Sequence, residues 1–187
     1  MKFMKNALLA VIAVAGAVVS ANAQSATVPS AKLEKPITVK LGAYFPQSGS
    51  SKNAGSTWFL ASVNYDVLKT ASASPITVGA YLDFSAAEKS MDGVKYKRGF
   101  LGIGPQGKYY FAKPGATVTP YAGAGLGIYF VNGKDGSDSS TKTHIGYKLL
   151  AGAEFAQGFV GELSYHFPGN VRDGNVNGFG VQLGYRF

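Results

Sequence analysis

The last ten residues alternate without a fault: Phe179, Val181, Leu183, Tyr185 and Phe187 are apolar or aromatic, whereas Gly178, Gly180, Gln182, Gly184 and Arg186 are small or polar. Period two sends the two sets to opposite sides of an extended strand. One side therefore needs an apolar surrounding along its whole length, and the other admits only small or polar company.

The same rhythm runs upstream. Phe159, Gly161, Leu163, Tyr165 and Phe167 oppose Val160, Glu162, Ser164 and His166, and the Gln157-Gly158 turn joins this strand to Ile145, Tyr147, Leu149, Ala151, Ala153 and Phe155 as a hairpin. Ala122, Ala124, Leu126, Ile128 and Phe130 form another apolar face, backed by Tyr121, Gly123, Gly125, Gly127 and Tyr129. Three more strands start at Ile37, Trp58 and Ile76, their apolar faces ending at Phe45, Val67 and Phe84. The fourth strand, about Lys97 to Phe111, is the least regular, because Gly104-Pro105-Gln106-Gly107 invites a bulge or a break. Eight strands result. Long polar connections are expected at 46–57, 86–96, 132–143 and 168–177, alternating with shorter turns.

The N-terminus has a different character. Lys2 and Lys5 precede an uninterrupted apolar run, Ala7 to Val19, and the small-residue stretch ending Ala21-Asn22-Ala23, the pattern of a secretory signal peptide cleaved before Gln24. Its apolar run falls short of the roughly 20 residues a spanning helix needs. Residues 24–36, polar with Pro29 and Pro36, read as a flexible periplasmic leader. The remaining 37–187 makes one domain. Export without a single cysteine means that no disulfide supports the fold.

Alternation alone cannot distinguish a soluble barrel filled with apolar side chains from a membrane barrel turned inside out. The polar set decides between them. In a soluble barrel Gly123, Gly125, Gly127, Gly180 and Gly184 would occupy the solvent face, where charge is usual; inside a narrow barrel they make room. Aromatics also gather at the strand ends, with Phe45, Phe59, Phe84, Phe130, Phe167 and Phe179 at one rim and Tyr109, Phe111, Phe155, Phe159, Tyr185 and Phe187 at the other. Two such girdles match the two interfaces of a bilayer. The expected fold is all-β: a closed antiparallel eight-stranded transmembrane β-barrel with both ends in the periplasm and four long connections outside.

On these residues the stretch Ile37 to Phe187 resembles the small outer-membrane barrels of the OmpA, OmpX and OmpW type. The resemblance implies residence in the outer membrane among its lipid and lipopolysaccharide, and a terminal strand whose Tyr185 and Phe187 form the signal read by the barrel-assembly machinery. No peptidoglycan-binding domain is expected after the barrel.

The inward set carries Lys40, Arg98, Lys108, Lys148 and Arg186 against Asp66, Asp83, Glu154 and Glu162. Unpaired charge in so narrow a space is costly, so these nine are expected to form an ion-paired network that largely plugs the lumen. The alternative is a small OmpW-like diffusion channel for small or apolar solutes, helped by the inward glycines. A lipid A modifying enzyme is the third reading. Its His-x-Ser pair would lie on the lipid-facing wall, but here Pro168 stands where that serine would be, and His166 falls on the inward face.

Other motifs dissolve in context. Gly102, Gly104 and Gly107 have dinucleotide-fingerprint spacing, yet Lys108-Tyr109-Tyr110-Phe111 continues as strand and offers no helix N-terminus. The 132–138 segment lacks the acidic spacing and closing glutamate of a calcium loop. A net charge of +8 is scattered rather than striped, which argues against nucleic acid; Lys89, Lys95 and Lys97 are candidates for contact with anionic lipid. No cofactor, metal or catalytic residue is expected, and surface ligands would bind through the loops.

Overall fold

A computed structural model describes residues 35–69, 75–91, 93–111, 116–136, 138–171 and 174–187. The expected signal peptide, most of the leader and the turn around Lys113 lie outside the described residues. Eight strands close a barrel: β1 (Ile37–Pro46), β2 (Trp58–Lys69), β3 (Ile76–Met91), β4 (Val94–Tyr110), β5 (Val118–Asp135), β6 (Asp138–Phe155), β7 (Phe159–Phe167) and β10 (Gly178–Arg186). Each pairs antiparallel with its sequence neighbour, and β10 returns to β1 with Phe45 opposite Phe179 and Thr38 opposite Arg186. The segment between β7 and β10 carries a small hairpin, β8 (Asn170–Val171) with β9 (Gly174–Asn175), and a single helical turn α1 (Gly49–Lys52) follows β1.

The alternation read from the sequence is the alternation of the barrel wall. Leu183 is 75 % exposed and Ile145 82 %, and Leu41, Leu126, Leu149 and Leu163 are likewise open on the outer face. Lys40, Ser62, Asp83, Lys108, Lys148, Glu162 and Gln182 are buried inside. No helix among the described residues is long and apolar enough to cross a membrane; the apolar cylinder itself supplies the spanning surface. Phe84, Ala61 and Val63 share the outer face by parity but are covered, because Phe84 lies directly across from Ala61 and Leu82 from Val63.

Two expectations about local structure need correction. The fourth strand does not bulge at Gly104 to Gly107: Ile103 pairs with Ile128 and Gln106 with Gly125 in one register, and the ladder to β5 is interrupted only at Gly104 and Pro105. Pro105, which has no N–H to give, still sits opposite Ala80 of β3. The irregularity lies in β2, where the register with β3 shifts between Asp66 and Leu68.

Segments 86–96 and 132–143 are not polar loops but strand. Met91 opposes Val94 and Asp135 opposes Asp138, so each connection is a two-residue turn, helped by Gly93 at φ 78° and Gly136 at φ 61°. The Asp92-Gly93 pair, a strong hairpin signal, marked the first of these in the sequence. In consequence the wall is uneven. Strands β3 to β6 run 16 to 18 residues while β1, β7 and β10 run 9 or 10, so a tall four-stranded sheet stands above the rest of the rim at the end away from the termini.

The outward direction of Leu183 is checked by charge. Leu183→Lys is expected to lower the unfolding free energy in lipid vesicles by about 2–4 kcal/mol, followed by the fluorescence of Trp58, the chain's one tryptophan. Thr141→Lys, on the outer face of the tall wall beyond the apolar belt, is expected to leave stability unchanged. Equal indifference at both positions would show that the Leu183 face does not meet hydrocarbon.

Candidate functional site: the barrel interior

An eight-stranded barrel leaves an interior just wide enough for side chains, so whatever passes through it, or fails to, is decided by what fills it. The filling has three storeys. At the end that bears the termini, Arg186 donates from Nη1 to both Glu154 oxygens at 2.6 Å and from Nη2 to Asp66 Oδ2 at 2.8 Å. Tyr110 adds a hydroxyl bond to Glu154 Oε1 at 2.7 Å, and Lys108 Nζ stands 3.4 Å from Asp66. Arg186 thus ties the last strand to β2 and β6 across the lumen, which planar guanidinium geometry suits better than a lysine would.

The middle storey is fully buried. Lys40 Nζ meets Glu162 Oε1 at 2.5 Å, and Tyr121 donates to Glu162 Oε2 at 2.8 Å. Lys148 Nζ lies 2.8 Å from Asp83 Oδ2 and 3.7 Å above the centre of the Tyr81 ring, so it has both an anion and an aromatic face. Ser62 and Gln182 exchange hydrogen bonds nearby. Among the described residues Asn64 and Gln106 find no partner at either end of their amides, and buried groups of this kind are commonly satisfied by water.

The third storey is aromatic. Tyr44, Trp58, Leu60, Tyr81, Phe100, Tyr129, Val131 and Val176 form one buried cluster across the end away from the termini. Phe100 packs against Tyr44 and Tyr129 with ring centres 5.2 and 5.8 Å apart. The segment between β7 and β10 closes over it: Val176 is fully buried, Tyr44 donates to its carbonyl at 2.5 Å, and Ser51 of α1 donates to the carbonyl of Asn175 at 2.6 Å. Above the cluster, at the foot of the tall wall, Arg98 makes a bidentate pair with Asp135 at 2.6 and 3.0 Å.

All nine sequence-derived lumen residues therefore face inward with a partner of opposite charge, and Asp135 is the partner that sequence reading missed. It stood in a stretch read as loop; counting period two onward from Phe130 would have placed it on the Arg98 side. The inward glycines are sockets, not passages. A Cβ on Gly102 or Gly146 would strike the Tyr129 ring, one on Gly152 the Tyr121 ring, and one on Gly125 both Tyr81 and Lys148. The rings of Tyr121 and Tyr129 thus fill hollows on the neighbouring strands, and that of Tyr81 a hollow two strands away.

His166 is inward and buried, as parity requires, and Pro168 is buried just beyond the end of β7. Ser164 Oγ and His166 Nε2 are 2.9 Å apart, with His166 Nδ1 3.7 Å from Asp83 Oδ2. The order resembles nucleophile, base and acid, but the last gap is too long for a hydrogen bond and the pair lies under the aromatic storey, beside the Tyr44 and Phe100 rings. His144, by contrast, is at the rim and bonds the carbonyl of Asn170. Among the described residues no group of three or more His, Cys, Asp or Glu could hold a metal.

A closed eight-stranded barrel, apolar outside and packed with paired charge within, defines a membrane β-barrel protein of the bacterial outer envelope. Residues 9–187 match the family described as outer membrane protein β-barrel domain, and the chain belongs to that family. Among solved structures, Neisserial surface protein A is similar at 20 % identity and a TM-score of 0.53, over 80 % of this chain and 95 % of its own. The outer membrane enzyme PagL is similar at 17 % identity and a TM-score of 0.53, over 80 % and 98 %. The N-terminal β-barrel domain of Pseudomonas aeruginosa OprF follows at 15 % identity and 0.47, over 80 % and 97 %. At these identities the likeness is one of fold. A comparison with curated proteins returned no match.

Removing one member of a buried pair strands the other, so Lys40→Met is expected to cost about 3–5 kcal/mol of stability. Lys40→Met combined with Glu162→Gln is expected to cost clearly less than the sum of the two single changes. The check is a double-mutant cycle from urea unfolding; additive losses would mean that the pair is not coupled.

Proposed function

We propose that this protein is a closed, non-enzymatic outer-membrane scaffold whose work is done by the surface it displays, not by transport through its interior. The observation that carries the reading is the filling of the lumen. Lys40, Arg98, Lys108, Lys148 and Arg186 are matched by Asp66, Asp83, Asp135, Glu154 and Glu162, and the aromatic storey lies across the axis above them. Opening a continuous path would require separating several buried ion pairs together, each costly to break. The network acts as a plug.

The display surface is the tall wall, at the end that we assign to the cell exterior, with both termini in the periplasm. The β2–β3 pairing stops at Ala86 and the β6–β7 pairing starts at Tyr147, so both margins of this sheet extend past their neighbours in the barrel. Such margins offer backbone donors and acceptors to a partner strand. Tyr185 and Phe187 serve as the recognition signal during barrel assembly.

Purified protein in planar bilayers is expected to give no discrete conductance steps; reproducible steps would replace the scaffold with a diffusion channel. Overexpression is expected to leave lipid A acylation unchanged. Loss of an acyl chain that depended on Ser164 and His166 would make the protein an enzyme.

A further inference from the structure

The outer face of the tall wall is not uniform. Along β3 to β6 the register sets Glu88, Lys97, Lys134 and Ser139 in one row, with Ala86, Gly99, Asn132 and Thr141 in the next and Phe84, Leu101, Phe130 and Thr143 in the one after. Lys95, opposite Ser90, extends the first row upward on the same face. Lys97 and Lys134 are thus direct cross-strand neighbours of like charge, an arrangement that costs stability in a sheet. Glu88 answers only one of them, bridging Lys97 at 2.7 Å; that hydrogen bond holds the Glu88 carboxyl below its ordinary range. Among the described residues of this face three cations stand against one anion, a net positive patch.

Its height matters. The lysine row lies four residues beyond Leu101 and Phe130, about 13 Å along the strands and roughly 10 Å along the membrane normal for strands tilted near 40°. Lysine stems can bend back by several ångströms to keep their heads at an interface. The ammonium groups therefore reach the headgroup layer, while Leu101, Ile103, Ile128 and Ile145 below offer an apolar wall to acyl chains. Lys89, a candidate from the sequence, falls on the opposite face of β3, and Lys134 takes its place.

We propose that Lys95, Lys97 and Lys134 bind the phosphate of a phosphorylated glycolipid of the outer leaflet, with lipid A as occupant. Charge complementarity selects the phosphate. Asn132, Ser139, Thr141 and Thr143, on the same face, offer hydroxyl and amide groups to the sugar, and the apolar rows beneath receive the chains. The arrangement explains why two lysines stand side by side with a single carboxylate nearby. It rests on the assignment of the tall wall to the cell exterior.

The experiment titrates full-length mature protein, folded in detergent micelles, with lipid A and reads bound lipid by native mass spectrometry. The K95Q/K97Q/K134Q variant is expected to raise the apparent Kd about 100-fold at low salt, each lysine near an anionic surface being worth roughly fivefold. E88Q removes the competing anion and is expected to tighten binding several-fold, a gain that misfolding cannot mimic. Dephosphorylated lipid A is expected to bind no better to the parent than to the triple variant, and phosphatidylglycerol, whose single phosphodiester lacks the sugar contacts, to bind the parent more weakly than lipid A. Unchanged lipid A affinity in the triple variant, or equal retention of phosphatidylglycerol, overturns the proposal. The orientation is tested apart from it: S139C, in a chain without native cysteine, should react with an impermeant maleimide on intact cells. Lack of labelling would sink the orientation while leaving the binding measurement to stand or fall by itself.

Discussion

Hydrocarbon offers no hydrogen bonds, so a strand that enters it must satisfy both of its edges within the protein. The pairing of β1 with β10, the first and last strands of the barrel, meets that demand. Everything else follows from the closure. With eight strands the cylinder is narrow, its outer surface must be apolar, and its inner surface must be filled by whatever side chains the inward positions carry.

The interior solves this filling problem with two complementary devices. Large rings at Tyr81, Tyr121 and Tyr129 enter hollows left by Gly125, Gly152, Gly102 and Gly146, so residues that look like gaps in the sequence are where a nearby strand receives a ring. Charges are brought in as matched sets, each acid held by a cation from a different strand, so that desolvation is offset by close pairing. The rings mostly lie over glycines of the next strand, whereas several of the charge pairs link strands distant in sequence; Lys40 and Glu162 are 122 residues apart. The interior therefore braces the cylinder across its width, where the wall's ladders run only between neighbours.

The exterior above the membrane obeys a different rule. Once clear of hydrocarbon, strands β3 to β6 no longer need apolar outward residues, and the pattern turns to Lys95, Lys97, Asn132 and Lys134 while pairing continues unbroken. Hydropathy changes at the interface but the strand does not, and this is why a reading based on apolar alternation ended the strands too early. The turn chemistry at Asp92-Gly93 carried the missing information. A single tall wall beside a low rim makes the barrel one-sided, with a basic face beyond the apolar belt and margins that extend past the neighbouring strands.

The sequence by itself determined the number of strands in the barrel, the side of the wall on which the residues of the strand stretches it recognised lie, and the nine charges that point inward, because period two is a local property and one slip would expose the wrong set. It could not determine who pairs with whom. That Asp135 belongs to Arg98, that Arg186 spans to both Asp66 and Glu154, and that the segment around Val176 folds over the aromatic storey are outcomes of register and closure. Those relations join positions tens of residues apart, and only the three-dimensional arrangement brings them within bonding distance.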